Sequence, residues 1–387
     1  MLKTKSVIRE EEVKEALYMC AEQVKKALPQ FTYSFPGTAS EKLFYKPNDE
    51  NIEWTTGFWT GELWLAYELL QEETLKEAAF VQVDSFYERI DKEIYVDNHD
   101  MGFLYSLSCV AAYKLTGLKK AKKAAIMAAD KLISRFQPNG EFIQAWGALD
   151  DPEQYRLIID CLLNLPLLYW ASDVTGEKKY EKVASLHFQT TMNCIFRDDY
   201  SSYHTYYFNP STGKPMYGTS HQGYRNESTW ARGQAWGVYG TALAYRYMKK
   251  EEYVEIFDKV IDYYIHHLSE ELVPYWDLEF TKESDEPKDS SAAAIVACGL
   301  LEMATLTQGE KSVEYKNLAK KIMKSLYEHY AVKSPEESNG LLKHGTYSKS
   351  SPYNTCQNNG VDECTLFGDY FYMEALMRLY KDWPSYW

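Results

Sequence analysis

The sequence predicts an all-α (α/α)6 barrel, a toroid of six helical hairpins. Three observations carry this. Helical periodicity dominates, and alternating Val/Ile-rich strands are scarce. The helical segments come in pairs, a first member apolar on all sides and a second that is amphipathic, as an inner ring wrapped by an outer ring requires. The long aromatic loops precede first members, and only short turns follow them, so the long loops gather at one rim.

The elements run in order. A lone helix, EEEVKEALYMCAEQVKKAL, opens the chain. Five pairs follow: GFWTGELWLAYELL with TLKEAAFVQVDSFYERI, MGFLYSLSCVAAYKLTG with KKAKKAAIMAADKLISRF, DCLLNLPLLYWASDVTG with KKYEKVASLHFQTTMNCI, ARGQAWGVYGTALAYRYM with EEYVEIFDKVIDYYIHHL, and SSAAAIVACGLLEMATLTQG with SVEYKNLAKKIMKSLYEHY. The turns Thr116-Gly117, Thr175-Gly176 and Gln308-Gly309 read as helix C-caps. A last lone helix, GDYFYMEALMRLYKDW, would pair with the first and close the sixth hairpin. The whole chain, 1–387, then reads as one catalytic domain. An open solenoid would need polar caps at both ends and a more regular period.

Composition narrows the partners. The 387 residues are 45% hydrophobic and 25% charged, with a net charge of −14. That balance argues against nucleic acid or an anionic membrane as partner. No run approaches the roughly 18 apolar residues of a membrane span, and the N-terminus has no apolar signal region. The seven cysteines stand singly, without a C-x-x-C pair. They read as free thiols in a reducing, cytoplasmic compartment, with no metal site and no cofactor. The sequence leaves the oligomeric state open. Tyr (33) and Trp (10) are abundant, which suits sugar stacking as well as core filling.

Each long loop (28–57, 92–101, 137–159, 196–231, 269–289 and 332–366) delivers chemistry to the shared rim. The first brings Trp54 and Phe58, the second His99 and Asp100. The third carries Trp146 and ends at Asp160, an acid at the head of the apolar run LIIDCLLNLPLLY. The fourth carries His204, His221, Gln222, Arg232 and Trp236, and the fifth leads to Asp289. Asp100 and Asp160 also suit plain helix N-caps, Asp289 suits capping chemistry, and the histidines and tryptophans suit a core. Arg232 resists that reading, because a cation at a helix start opposes the dipole and calls for an anion beside it. Two acids at one rim suggest general acid–base work on a glycoside. The motifs of serine hydrolases and nucleotide binders are missing.

The segments NHDMGF, IIDCLLNLPLLYWAS, STWARGQAWGVYG, PKDSSAAAIVACGLLE and FGDYFYMEALMRL resemble the unsaturated glucuronyl hydrolases of glycoside hydrolase family 88. The resemblance runs from about Trp54 to the C-terminus and implies an (α/α)6 barrel acting on small oligosaccharides left by polysaccharide lyases. It implies Asp160 as general acid/base, protonating C4 of a 4,5-unsaturated uronic acid while a water adds at C5. It implies that Asp100 holds sugar hydroxyls and helps keep Asp160 protonated, with His99 orienting it. Arg232, His204 and Gln222 match residues at the uronate end, and Trp54, Phe58, Trp146 and Trp236 match stacking walls.

Members preferring sulfated fragments resemble one another in an Arg where this chain has His221, and in a Ser-x-x-Ser-x-Lys motif. Here Ser348 and Ser351 keep the serines as substrate-binding candidates, Tyr353 replaces the Lys, and Lys349 stands nearby. Two alternatives share the toroid: an unsaturated rhamnogalacturonyl hydrolase, and a sugar isomerase working through a histidine pair.

Overall fold

The computed structural model describes residues 6–281 and 284–387. Its helices form two concentric rings. The outer ring holds α1 (Glu10–Phe31), α3 (Glu73–Asp91), α5 (Lys119–Ser134), α7 (Lys179–Cys194), α9 (Glu252–His266) and α11 (Gly309–Ser325). The inner ring holds α2 (Thr56–Leu70), α4, α6 (Pro166–Thr175), α8 (Ala231–Met248), α10 (Ser290–Leu306) and α12 (Leu366–Tyr380). Helix α4 is built of three pieces, Met101–Tyr105, a π-turn at Ser106–Val110, and Ala111–Thr116.

The inner ring closes: each member packs on the next, the turn at Ile159–Leu163 that precedes α6 making the contact with α8, and α12 returns to α2. Helix α1 packs on both α2 and α12, so the two lone terminal helices pair as the sequence predicts. Inner helices are buried all round: Ala231–Ala244 of α8 and Ser290–Met303 of α10 have no exposed residue. Outer helices bury one stripe. In α5 it is Ala121, Ala124, Ala125, Ala128, Ala129 and Leu132, the spacing of one helical face.

Gly117 and Gly176 end their helices in the left-handed region, at φ 71° and 78°. The third expected C-cap differs. Helix α10 ends on an extended Thr307, and Gly309 opens α11 instead. The inner helix expected to start at Asp160 is also displaced. Residues Ile159–Leu163 form a 3-10 turn, and the α-helix begins at Pro166, whose missing N–H suits the first helical position.

The long loops carry short strands at the rim. The largest sheet pairs Arg156–Ile158 with Thr205–Phe208 and the latter with Pro215–Thr219. Among the described residues no helix is long and apolar enough to cross a membrane.

Candidate active site

The small rim sheet aligns the site. Ile158 pairs with Thr205 and Thr205 with Thr219. The ladder continues as Ile159 N–H to His204 O (3.0 Å) and His204 N–H to Thr219 O (2.9 Å). Three strands therefore end level, delivering Asp160, His204 and the His221–Gln222 loop to one edge.

Asp100 arrives from the neighbouring helix, and its position is fixed by close contact. Gly102 packs on Asn164 so tightly that a Cβ there would lie 2.3 Å from the Asn164 Cα. Asn164 Oδ1 accepts the Phe103 N–H at 2.8 Å, and its Nδ2 donates to the Asp160 carbonyl at 3.4 Å. The starts of α4 and of the 3-10 turn are thus clasped, and each carries a carboxylate. Asn164 and Gly102 escaped the sequence reading, though a lone Asn inside LLNLP was a visible signal.

His99 lies between the acids. Its Nε2 is 3.5 Å from Asp100 Oδ1 and 3.4 Å from Asp160 Oδ1. The side chains of Asp100 and Asp160 are 13% and 18% exposed, reachable but largely desolvated. Both His99 ring nitrogens and Asp160 Oδ1 are buried without a hydrogen-bond partner. Unspent polar atoms gathered in one place are what a site offers to a substrate. Neither aspartate caps its helix or turn through its side chain, so the plain N-cap reading fails for both.

Burial pushes the Asp160 carboxyl up to about 7, against the smaller opposing pull of its own backbone N–H and of Arg232. Burial, and after it the charge of Asp160, raises Asp100 well above the usual range. Desolvation rather than Asp100 is therefore the main force keeping Asp160 protonated. Burial lowers His99 and His204 far below the ordinary imidazole value, so both are neutral near pH 7. His99, Asp100 and Asp160 also place three donor atoms within 4.8 Å of one another, close enough to share a proton or to close on a cation.

The other expected residues fall into two groups. Trp146, 38% exposed, meets the His99 ring edge-on at 6.0 Å. Gln222 Nε2 lies 3.2 Å from His204 Nε2, and the His204 and His221 rings are 5.3 Å apart. Trp54 stacks on Phe367 at 5.5 Å and donates to the Tyr347 hydroxyl. Trp146 thus lies beside His99, and Trp54 lies against Phe103, three residues after Asp100.

The second group is corrected. Phe58 is wholly buried beneath Trp54, packed on Phe103, Phe367, Tyr370 and Phe371, and is core rather than wall. Trp236 is 1% exposed and packs on Phe103 and Phe371, so it presents no open stacking face. Ser348 and Ser351 donate their hydroxyls to the Gln357 and Tyr224 carbonyls and serve to build the last loop.

Arg232 does have an anion beside it, but the anion is internal. Its Nη1 donates to Asp289 Oδ2 (2.7 Å) and Thr346 O (2.6 Å), and Nη2 to Tyr347 O (2.5 Å). Asp289 makes no side-chain cap to its helix, contrary to the capping expectation.

A family model for Glycosyl Hydrolase Family 88 matches residues 26–380. The chain belongs to glycoside hydrolase family 88. It is 46% identical over 384 residues to the "Unsaturated chondroitin disaccharide hydrolase" of Streptococcus pneumoniae, covering 98% of this chain and 95% of that one. The solved unsaturated glucuronyl hydrolase of Streptococcus agalactiae superposes with a TM-score of 0.95 at 45% identity, covering 100% and 96%. An aspartate-to-asparagine mutant of that enzyme, solved in complex with dGlcA-GalNAc6S, gives 0.87 at 42% identity, covering 99% and 95%. These family 88 relatives favour the uronyl hydrolase reading over the sugar isomerase.

Proposed function

We propose that this enzyme releases the 4,5-unsaturated uronic acid from the non-reducing end of small lyase-generated oligosaccharides, with Asp160 as general acid/base. The observation that carries the reading is a carboxyl held near neutrality, 3.4 Å from a neutral His99 and beside a second acid, in a family 88 fold. A group that titrates near the working pH can both give and take a proton.

The chemistry balances as follows. The C4=C5 bond is a vinyl ether. Asp160 gives its proton to C4, and a water adds its oxygen to C5 and its proton to the Asp160 carboxylate. The C5 hemiketal opens to a ketone, which leaves C1 as a hemiacetal. That hemiacetal expels the remaining saccharide as an alcohol. No bond to C1 is attacked, so the carboxylate-separation rule for retaining and inverting glycosidases does not apply. Asp100 receives sugar hydroxyls, and His99, 3.5 Å from Asp100 and 3.4 Å from Asp160, is the orienting group beside them. Trp54 and Trp146 offer the faces against which sugar rings stack.

We likewise propose that the whole chain is one catalytic domain and that it works in the cytoplasm, a reading its seven free cysteines support. The test is an activity panel. Purified protein is mixed with unsaturated disaccharides from chondroitin, hyaluronan, heparin and gellan. Loss of the conjugated ultraviolet absorbance on at least one is expected, and no loss on any overturns the proposal.

A further inference from the structure

Four arginines act on the groups of the site, Arg89 on Asp100, Arg135 and Arg156 on His99, and Arg232 on Asp160. All but Arg156 are spent internally, Arg89 and Arg135 largely on backbone carbonyls. Arg232 gives its donors to Asp289 and to two backbone carbonyls. Arg156 is in the opposite situation. It opens the rim strand that leads to Asp160 and is 8% exposed. Its guanidinium carbon lies 5.1 Å from the Trp146 ring centroid and 5.7 Å from that of Tyr207. Its one hydrogen bond among the described residues runs from Nη1 to the Glu153 carbonyl at 3.2 Å. Among the described residues no carboxylate forms an ion pair with it within 4.0 Å.

A guanidinium carries five N–H donors in a fork that fits carboxylate and sulfate. Holding one largely desolvated without an anion is costly, and that cost is recovered when an anion arrives. Lys349, which stands near the replaced Lys of the last loop, is already 3.7 Å from Glu286. The chain as a whole carries −14, so an anionic ligand needs a local cation to overcome the global field. Position narrows the ligand further. Arg232 acts on Asp160 and on His204, whereas Arg156 acts on all three histidines, His99, His204 and His221. Trp146, its stacking partner, lies half open beside His99. The free guanidinium thus faces the histidine side of the cleft.

We propose that Arg156 is a specificity-determining residue that binds a carboxylate or sulfate on the sugar adjoining the unsaturated uronate. This rests on the uronyl hydrolase reading.

The test compares three unsaturated disaccharides whose second sugar is neutral, carboxylated or sulfated, in wild type, Arg156→Met and Arg156→Lys. Met keeps the bulk packed against Trp146 and Tyr207. A charged hydrogen bond contributes about 1.5–3 kcal/mol, so Arg156→Met should lose roughly 10- to 100-fold in kcat/KM on a charged substrate. The loss should lie in KM and leave the neutral substrate within about twofold, with Lys recovering part of it. Which charged arm responds separates carboxylate from sulfate. If Arg156→Met unfolds, Arg156→Lys alone gives the same comparison, since it keeps the charge and loses the fork. Equal loss on all three substrates, no loss on any, or wild-type activity confined to the neutral one overturns the proposal. Wild type inactive on all three overturns instead the parent reading.

Discussion

Gly102 and Asn164 meet with no room for a methyl group, a Cβ at 102 falling 2.3 Å from the Asn164 Cα. The Phe103 N–H to Asn164 Oδ1 bond, 2.8 Å, locks that contact. Because Asp100 lies two residues before Gly102 and Asp160 four before Asn164, this clasp sets the spacing of the carboxyl pair.

Gly102→Ala should therefore act as an overpacked core substitution, costing about 1–3 kcal/mol of stability, and should lower kcat by pushing the acids apart. Asn164→Ala leaves the buried Phe103 N–H unpaired, at about 1–3 kcal/mol. Thermal unfolding together with kcat measures both. Full activity in Gly102→Ala would show that the clasp does not position the site.

The pH dependence has a definite sign. Asp160 holds its proton up to about pH 7 in the folded chain, against a pKa of about 3.9 unfolded. Between these values the native state binds more protons than the unfolded one, so stability falls as pH rises through the window and then levels. Asp160→Asn escapes this loss. Its Tm advantage should be small near pH 4 and grow to several degrees by about pH 8. Activity needs the protonated acid, so kcat/KM of the wild type should decline above about pH 7.

The Arg232–Asp289 pair is buried at both ends, with side chains 2% and 0% exposed. Removing either partner strands a buried charge and should cost about 3–5 kcal/mol. Removing both should cost clearly less than the sum. Denaturant unfolding of Arg232→Met, Asp289→Leu and the double variant reads this directly.

A cation seated among His99, Asp100 and Asp160 would hold both carboxyls ionised and leave no proton to deliver. Dialysis against a chelator should therefore leave kcat unchanged. Activity lost on chelation and restored by a divalent metal would contradict the proton mechanism.

Much of this was legible in the sequence, and particular residues show why. The rings were legible because burial all round and burial on one stripe leave different periods, as ARGQAWGVYG and KKAKKAAIMAAD illustrate. Asp160 was legible because a carboxyl in an apolar run needs a reason. Pairings across the ring were not. Arg232 and Asp289 are 57 residues apart, and Phe103 and Asn164 61, and neither separation leaves a local pattern. An arginine at a helix start announces an anion but not whose. Phe58 and Trp236 misled for a related reason: an aromatic beside a rim loop has the same local sequence whether its ring faces the cleft or the core.

The central claim is that Asp160 drives hydration of the double bond, and that release of the saccharide follows from it. The most direct measurement follows the ultraviolet absorbance of the double bond and the freed saccharide in one time course, for wild type and Asp160→Asn. The account predicts that the two signals change together in wild type and that Asp160→Asn slows both by about 10²- to 10⁴-fold while remaining folded. Saccharide released while the double bond persists, or an Asp160→Asn variant as fast as wild type, would contradict it.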